Sequence, residues 1–186
     1  MAEWDDQADA IVECWLGGQA SGSGVVDVLT GKVNPSGHLA ETIAVTLSDI
    51  PAQLNFPGEF QHVTYGEGRY IGYRGLDVIE REVAYPFGHG LSYTTFDYSD
   101  LDLAVRPVTD ETAQDESVLT VTFTISNTGD RTGSAVPQVY LGFPDATVNR
   151  CVRELKAFRR VELAPGKSRS ITIDLTRRDL SYWDIL

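Results

Sequence analysis

The spacing of apolar residues changes character near Thr95. Before it the pattern is helical or irregular. Ala8, Ile11, Val12, Trp15 and Leu16 recur at the spacing of one helical face. Asp5, Asp6 and Asp9 precede them, where the positive end of a helix dipole favours carboxylates, and Gly17 and Gly18 follow as a stop. This predicts a helix over residues 5–16. Val25, Val26, Val28 and Leu29, with Gly31 behind them, predict a short second helix over 23–29. Residues 39–47 alternate weakly and are rich in Thr, which suits an extended segment. Residues 50–68 have little periodicity and carry Pro51, Pro57, Gly58 and Gly66, the composition of a long ordered loop. Residues 70–73 are expected to form a short edge strand.

After Thr95 the period becomes two. Phe96, Tyr98, Leu101, Leu103 and Val105 alternate with one break. Leu119, Val121, Phe123 and Ile125 alternate strictly with Thr120, Thr122, Thr124 and Ser126, the clearest strand pattern in the chain. Further strands are predicted over 136–143, 154–163 and 168–175. Asn127-Thr128-Gly129-Asp130 and Ala164-Pro165-Gly166-Lys167 have the residues of tight turns. Short strands separated by such turns predict a β-sandwich.

The two halves meet at Tyr85-Pro86-Phe87-Gly88-His89-Gly90-Leu91-Ser92-Tyr93. Pro86 fixes a backbone angle, Gly88 and Gly90 open angles that other residues avoid, and the aromatic rings around them form a rigid corner. The segment Pro86 to Thr94 resembles a signature of family 3 glycoside hydrolases. Trp15-Leu16-Gly17-Gly18-Gln19 is similar to that family's aromatic-Leu-Gly-Gln stretch. Gly31 to Leu39 is similar to its Gly-x-x-Asn-Pro-Ser-Gly-Arg/His-Leu motif, and Tyr65 to Arg74 to its Tyr-x-Glu-Gly-x-x-x-Gly-Tyr-Arg motif. The motifs fall in family order and together cover most of the chain.

The resemblance implies a fold: the end of an α/β sandwich domain over residues 1–84, a corner over 85–95, and a fibronectin-III-like, immunoglobulin-like β-sandwich over 96–186. It also implies a parent enzyme, a β-glucosidase-like glycosidase acting on β-linked sugars. In that family a (β/α)8 barrel carries the nucleophilic Asp, and the sandwich domain usually carries the acid/base Glu. A barrel of about 250 residues does not fit in this chain. Neither catalytic motif has a counterpart here, so no catalytic residue is assigned and the chain is expected to be inactive alone. The expected role is a scaffold, with the barrel-containing remainder of the parent, or a second copy, as partner. A stand-alone carbohydrate-binding or assembly module is the alternative. The family continues beyond the segment matching Leu180 to Leu186, so the last strands of the sandwich are expected to be missing. Inner faces such as Leu119, Val121, Phe123 and Ile125 would then be left exposed.

The chain has 15 basic and 27 acidic residues, a net charge of -12, and is 42% hydrophobic. That composition is globular. The negative surface disfavours nucleic acid and anionic lipid, and no long apolar run suits a membrane span. No secretory leader is visible, so a cytoplasmic location is the expectation. Cys14 and Cys151 fall in different predicted modules, so no disulfide between them is expected.

Few residues invite a chemical reading. Glu67 stands between glycines and could project into a cleft, but its motif is not the family's acid/base position. A charge-assisted bond to Arg69 or Arg74 is the preferred role. His38, His62 and His89 are too dispersed in sequence to predict a metal site, and no cofactor loop is present. Ser92 lacks a nucleophile-elbow context. Tyr65, Tyr70, Tyr73, Tyr85, Phe87 and Tyr93 could line a sugar platform, though packing is favoured. Arg150, Arg153, Lys156, Arg159 and Arg160 suggest a solvated strand face or a docking surface.

Overall fold

The computed structural model describes residues 4–183. The chain divides into two compact units. The first comprises residues 1–33, 37–91 and 140–154, and the second residues 34–36, 92–139 and 155–186.

In the first unit the predicted short helix forms as α1 (Ser21–Leu29), ended by Thr30 and by Gly31 at φ 71°. The predicted helix over 5–16 does not form: Asp5–Gln7 is a single 3-10 turn, and the residues after it are non-helical and mostly exposed. A helix of that length is marginal in water unless its apolar stripe packs on something. Val12 and Trp15 remain 43% and 53% exposed, and Leu16 is fully exposed. The extended segment shrinks to β1 (Ile43–Ala44), which pairs antiparallel with β2 (Val83–Tyr85). The predicted strand at 70–73 is replaced by α2 (Tyr73–Val78), preceded by Gly72 at φ 57°. The 50–68 stretch is the ordered loop expected. It contains the 3-10 turn Pro51–Leu54, a cis Phe56-Pro57 bond and a tight reversal in which Glu59 and His62 exchange backbone bonds of 3.0 and 2.9 Å.

Among the described residues of this unit only Gly75, Leu76 and Cys151 are buried. Leu54, Phe60 and Tyr65 are 94%, 92% and 81% exposed. The unit has local order without a core of its own.

The second unit is the expected β-sandwich. Its larger sheet has the order β3 (Phe96–Val105), β4 (Ser117–Asn127), β9 (Ser168–Thr176), all antiparallel. A second layer pairs β5 (Gly133–Ala135) with β8 (Val161–Leu163). The chain passes into the first unit within β6 (Gln138–Leu141) and returns within β7 (Glu154–Phe158), and these two strands pair. α3 (Arg177–Leu180) follows β9. The break foreseen in β3 is a register shift between Ser99 and Asp102, with Asp100 at φ 54°.

The period of two on β4 sorts its side chains. Val121 and Phe123 lie opposite Ile173 and Ile171 on the inner face, and all four are buried with Ile125, Leu175, Val161 and Leu163. The expectation that Val121, Phe123 and Ile125 would be exposed is therefore corrected: β9 and the second layer cover them within this chain. The uncovered inner positions belong to edge strand β3, where Leu103 and Val105 face Val121 and Leu119 in register but remain exposed. On the outer face Thr120 donates to Asp174 and Ser126 meets Ser168 at 2.7 Å.

Candidate functional site

The motifs singled out in the sequence fold against one another. In the first unit, Leu39 N–H donates to His89 O at 2.7 Å and Gly88 N–H to Leu39 O at 2.8 Å. His38 Nδ1 lies 2.8 Å from Gly88 O. His89 N–H closes a turn onto Pro86 O at 3.0 Å, and Gly88 takes φ 82°. Gly90 is required for a different reason: a Cβ there would stand 2.6 Å from Gly37 O. In the second unit, Asn34 Oδ1 accepts from Ser92 Oγ and from Tyr93 N–H, each at 2.9 Å, and its Nδ2 donates to Thr132 O. Ser92 is thus part of a structural clamp.

The aromatic residues do not converge. Tyr73 packs on Phe87 at 5.0 Å and edge-on to Tyr140 at 5.9 Å. Tyr85 lies 5.3 Å from His89 and donates to Asp5. Tyr93 lies under the Arg131 guanidinium in the second unit, and Tyr65 is exposed. No group of three His, Cys, Asp or Glu side chains among the described residues is arranged to hold a metal.

Two arginines of the basic run are held in close ion pairs, one local and one distant in sequence. Arg150 grips Glu154 with both ends of its guanidinium at 2.9–3.1 Å and stacks 3.7 Å above the Phe143 ring. Arg153 donates twice to Asp77 on α2, at 2.7 and 3.2 Å. Arg160 approaches Glu162 only at 3.9 Å. Asp77 had no distinguishing signal in the sequence, because its partner is 76 residues away. Cys14 and Cys151 are both free thiols. Burial pushes the Cys151 thiol up, which disfavours the reactive thiolate.

Glu67 is placed differently from its expected role. Arg69 is turned to Asn149 O at 2.6 Å, and the Arg74 guanidinium lies over the Tyr73 ring at 5.8 Å. Glu67 pairs with neither. Its Oε2 is buried and has no hydrogen-bond partner among the described residues. Glu67 follows Gly66, whose α-carbon sits so close to the Asn55 side chain that a Cβ would stand 2.7 Å from Nδ2.

The described residues form an α/β segment followed by a β-sandwich, each held internally by these motif contacts. Residues 1–93 match the glycosyl hydrolase family 3 C-terminal domain and residues 135–186 match the fibronectin type III-like domain. The chain belongs to glycoside hydrolase family 3. It is 42% identical over 181 residues to the thermostable beta-glucosidase B of Acetivibrio thermocellus, covering 97% of this chain and 23% of that protein. It is 43% identical to the probable beta-glucosidase I of Aspergillus clavatus, of which it covers 22%. Among solved structures, the GH3 beta-glucosidase of Bifidobacterium adolescentis superposes with a TM-score of 0.88 at 43% identity, over 99% of this chain and 26% of that one. Beta-glucosidase 3B of Thermotoga neapolitana, solved with glucose, gives 0.87 at 41% identity, over 99% and 25%. The chain therefore spans about a quarter of the length of these relatives.

Proposed function

We propose that this chain is the C-terminal, non-catalytic part of a retaining β-glucosidase-like enzyme. Its modules are residues 1–84, the corner 85–95 and the sandwich 96–186. The carrying observation is the first unit's sparse core: among its described residues three are buried, against a surface exposing Trp15, Leu16, Leu54, Phe56, Phe60 and Tyr65. Exposed apolar surface on that scale marks an interface. Relatives that match nearly the whole chain are about four times as long, so the enzyme's remaining domains are the fitting cover.

In the parent, one carboxylate attacks the anomeric carbon and a second protonates the leaving oxygen, and both are supplied from outside this chain. This chain contributes no catalytic residue, metal ligand or cofactor contact. It closes the α/β domain and braces it against the barrel of the parent.

The test is complementation. The purified chain is assayed on a chromogenic β-glucoside alone, then with the part of the Bifidobacterium adolescentis enzyme that lies outside the matched region. No turnover alone and turnover on mixing are expected. Turnover by the chain alone, lost in Glu67→Gln, would overturn the scaffold reading. Calorimetric sugar binding by the chain without complementation would favour a stand-alone carbohydrate-binding module.

A further inference from the structure

We propose that Phe60 is an interface anchor: a tight turn holds its ring out for an apolar pocket on the remaining domains of the parent enzyme. This rests on the reading of the chain as part of a larger enzyme and names the side chain that carries the contact.

The turn runs from Glu59 to His62 and is closed in both directions, since Glu59 N–H donates to His62 O and His62 N–H to Glu59 O. Its two central residues, Phe60 and Gln61, lie at φ 50° and 65°. A two-residue turn with both central residues left-handed suits Asn-Gly or Gly-Gly and is strained for a bulky side chain such as Phe. Gly58, at φ 91°, sets the approach to the turn, because a Cβ there would collide with His62 O. The chain thus carries an aromatic residue at the tip of a reversal against its own backbone preference. Burial within the chain does not offset this, since Phe60 is 92% exposed. Residues held in such conformations cluster at ligand clamps and switch regions, where the strain pre-organises a contact.

A protruding ring fits a concave apolar pocket, and aromatic anchors seated in pockets dominate protein interfaces. Glu59, Gln61 and His62 flank Phe60 in the turn and are themselves exposed, which supplies the polar rim of such a contact. The chain covers 23% and 26% of two of its relatives, so most of a matching enzyme lies outside it and is the partner.

The experiment compares the full chain with Phe60→Asn and Gln61→Gly. Each places a residue that tolerates positive φ in the turn, and only the first removes the ring. Phe60→Asn should leave the Tm of the free chain unchanged or raise it, because strain is relieved and no buried contact is lost. A lowered Tm would show that the ring packs on this chain and would overturn the proposal. Affinity is then measured for the part of the Bifidobacterium adolescentis enzyme outside the matched region. Phe60→Asn should weaken it about tenfold or more, whereas Gln61→Gly should change it by less than about threefold. A smaller loss in Phe60→Asn, or an equal loss in both variants, would overturn the anchor and leave the parent reading standing. Failure of the unmodified chain to bind would overturn that reading, and the anchor with it. Self-association or glucose binding by the free chain that disappears in Phe60→Asn would assign the ring to a second copy or to a sugar, and would likewise overturn the proposal.

Discussion

Thr94 Oγ1 donates to Asn127 Oδ1 at 2.7 Å, and both residues are buried. Asn127 also accepts from Gly129 N–H at 3.1 Å, and its Nδ2 donates to Arg131 O and Leu163 O at 2.7 and 2.9 Å. Four bonds from one side chain satisfy its whole capacity. They tie the end of β4 to its turn and to β8 in the other layer. Asn127→Ala should cost about 3 kcal/mol, because it leaves the buried Leu163 carbonyl and Thr94 hydroxyl unpaired. Thr94→Val should cost about 1 kcal/mol. Chemical denaturation of the second unit measures both, and equal losses would contradict this account.

Glycines at the corner and in α1 should respond with opposite sign. Gly88→Val forces a β-branched residue into the left-handed region, and Gly90→Val drives a side chain into Gly37 O. Each should destabilise by at least about 1 kcal/mol. Gly22 and Gly24 lie in α1 with nothing within 4 Å of an added Cβ. Gly22→Ala and Gly24→Ala should each stabilise by about 0.5–1 kcal/mol. Thermal melts of the four variants decide the matter.

Two arginines that look equivalent in sequence should differ in worth. The Arg150–Glu154 pair is 6% and 19% exposed, whereas Arg153–Asp77 is 50% and 23% exposed. Arg150→Ala removes the bidentate partner of a largely buried carboxylate and should cost more, about 2–3 kcal/mol. Arg153→Ala removes a screened pair and should cost about 0.5–1 kcal/mol. A double-mutant cycle on each pair separates them. A larger coupling for Arg153 would refute the burial argument.

Asp179 caps α3, accepting from Thr176 N–H at 2.8 Å and from Thr176 Oγ1 at 2.7 Å. These bonds, the backbone one foremost, hold its carboxyl below the ordinary range. The unfolded state then binds the proton more readily, so stability rises with pH through this window. The contribution is fully present above about pH 4, the unfolded value, and is lost as pH falls through the depressed folded value. NMR titration should place the Asp179 transition below that of a free Asp. In Asp179→Asn this pH dependence should vanish.

Much of the sandwich was legible along the chain. The strict alternation on β4, the break in β3 and the Pro165-Gly166 turn are short-range features, and an alternating strand has one face to bury wherever its partners come from. The corner motifs were recognisable too, but their pairing was not. Nothing near Asn34 reveals that it will clasp Ser92, Tyr93 and Thr132, and nothing near Asp77 announces Arg153. The helix expected over 5–16 failed for a related reason. Its periodicity was genuine, but short helices draw their stability from the surface they pack on, and among the described residues Val12, Trp15 and Leu16 stay half or fully exposed. Glu67 was visible as a lone acid between glycines, while its burial and the engagement of Arg69 and Arg74 elsewhere belong to the fold. By itself the sequence determined the main strands of the sandwich, the turns and the family, since these depend on neighbouring residues and ordered motifs. Tertiary structure alone decided which arginine is buried, which motif grips which, and which carboxylate is left without a partner, because each depends on groups distant in sequence arriving at the same place.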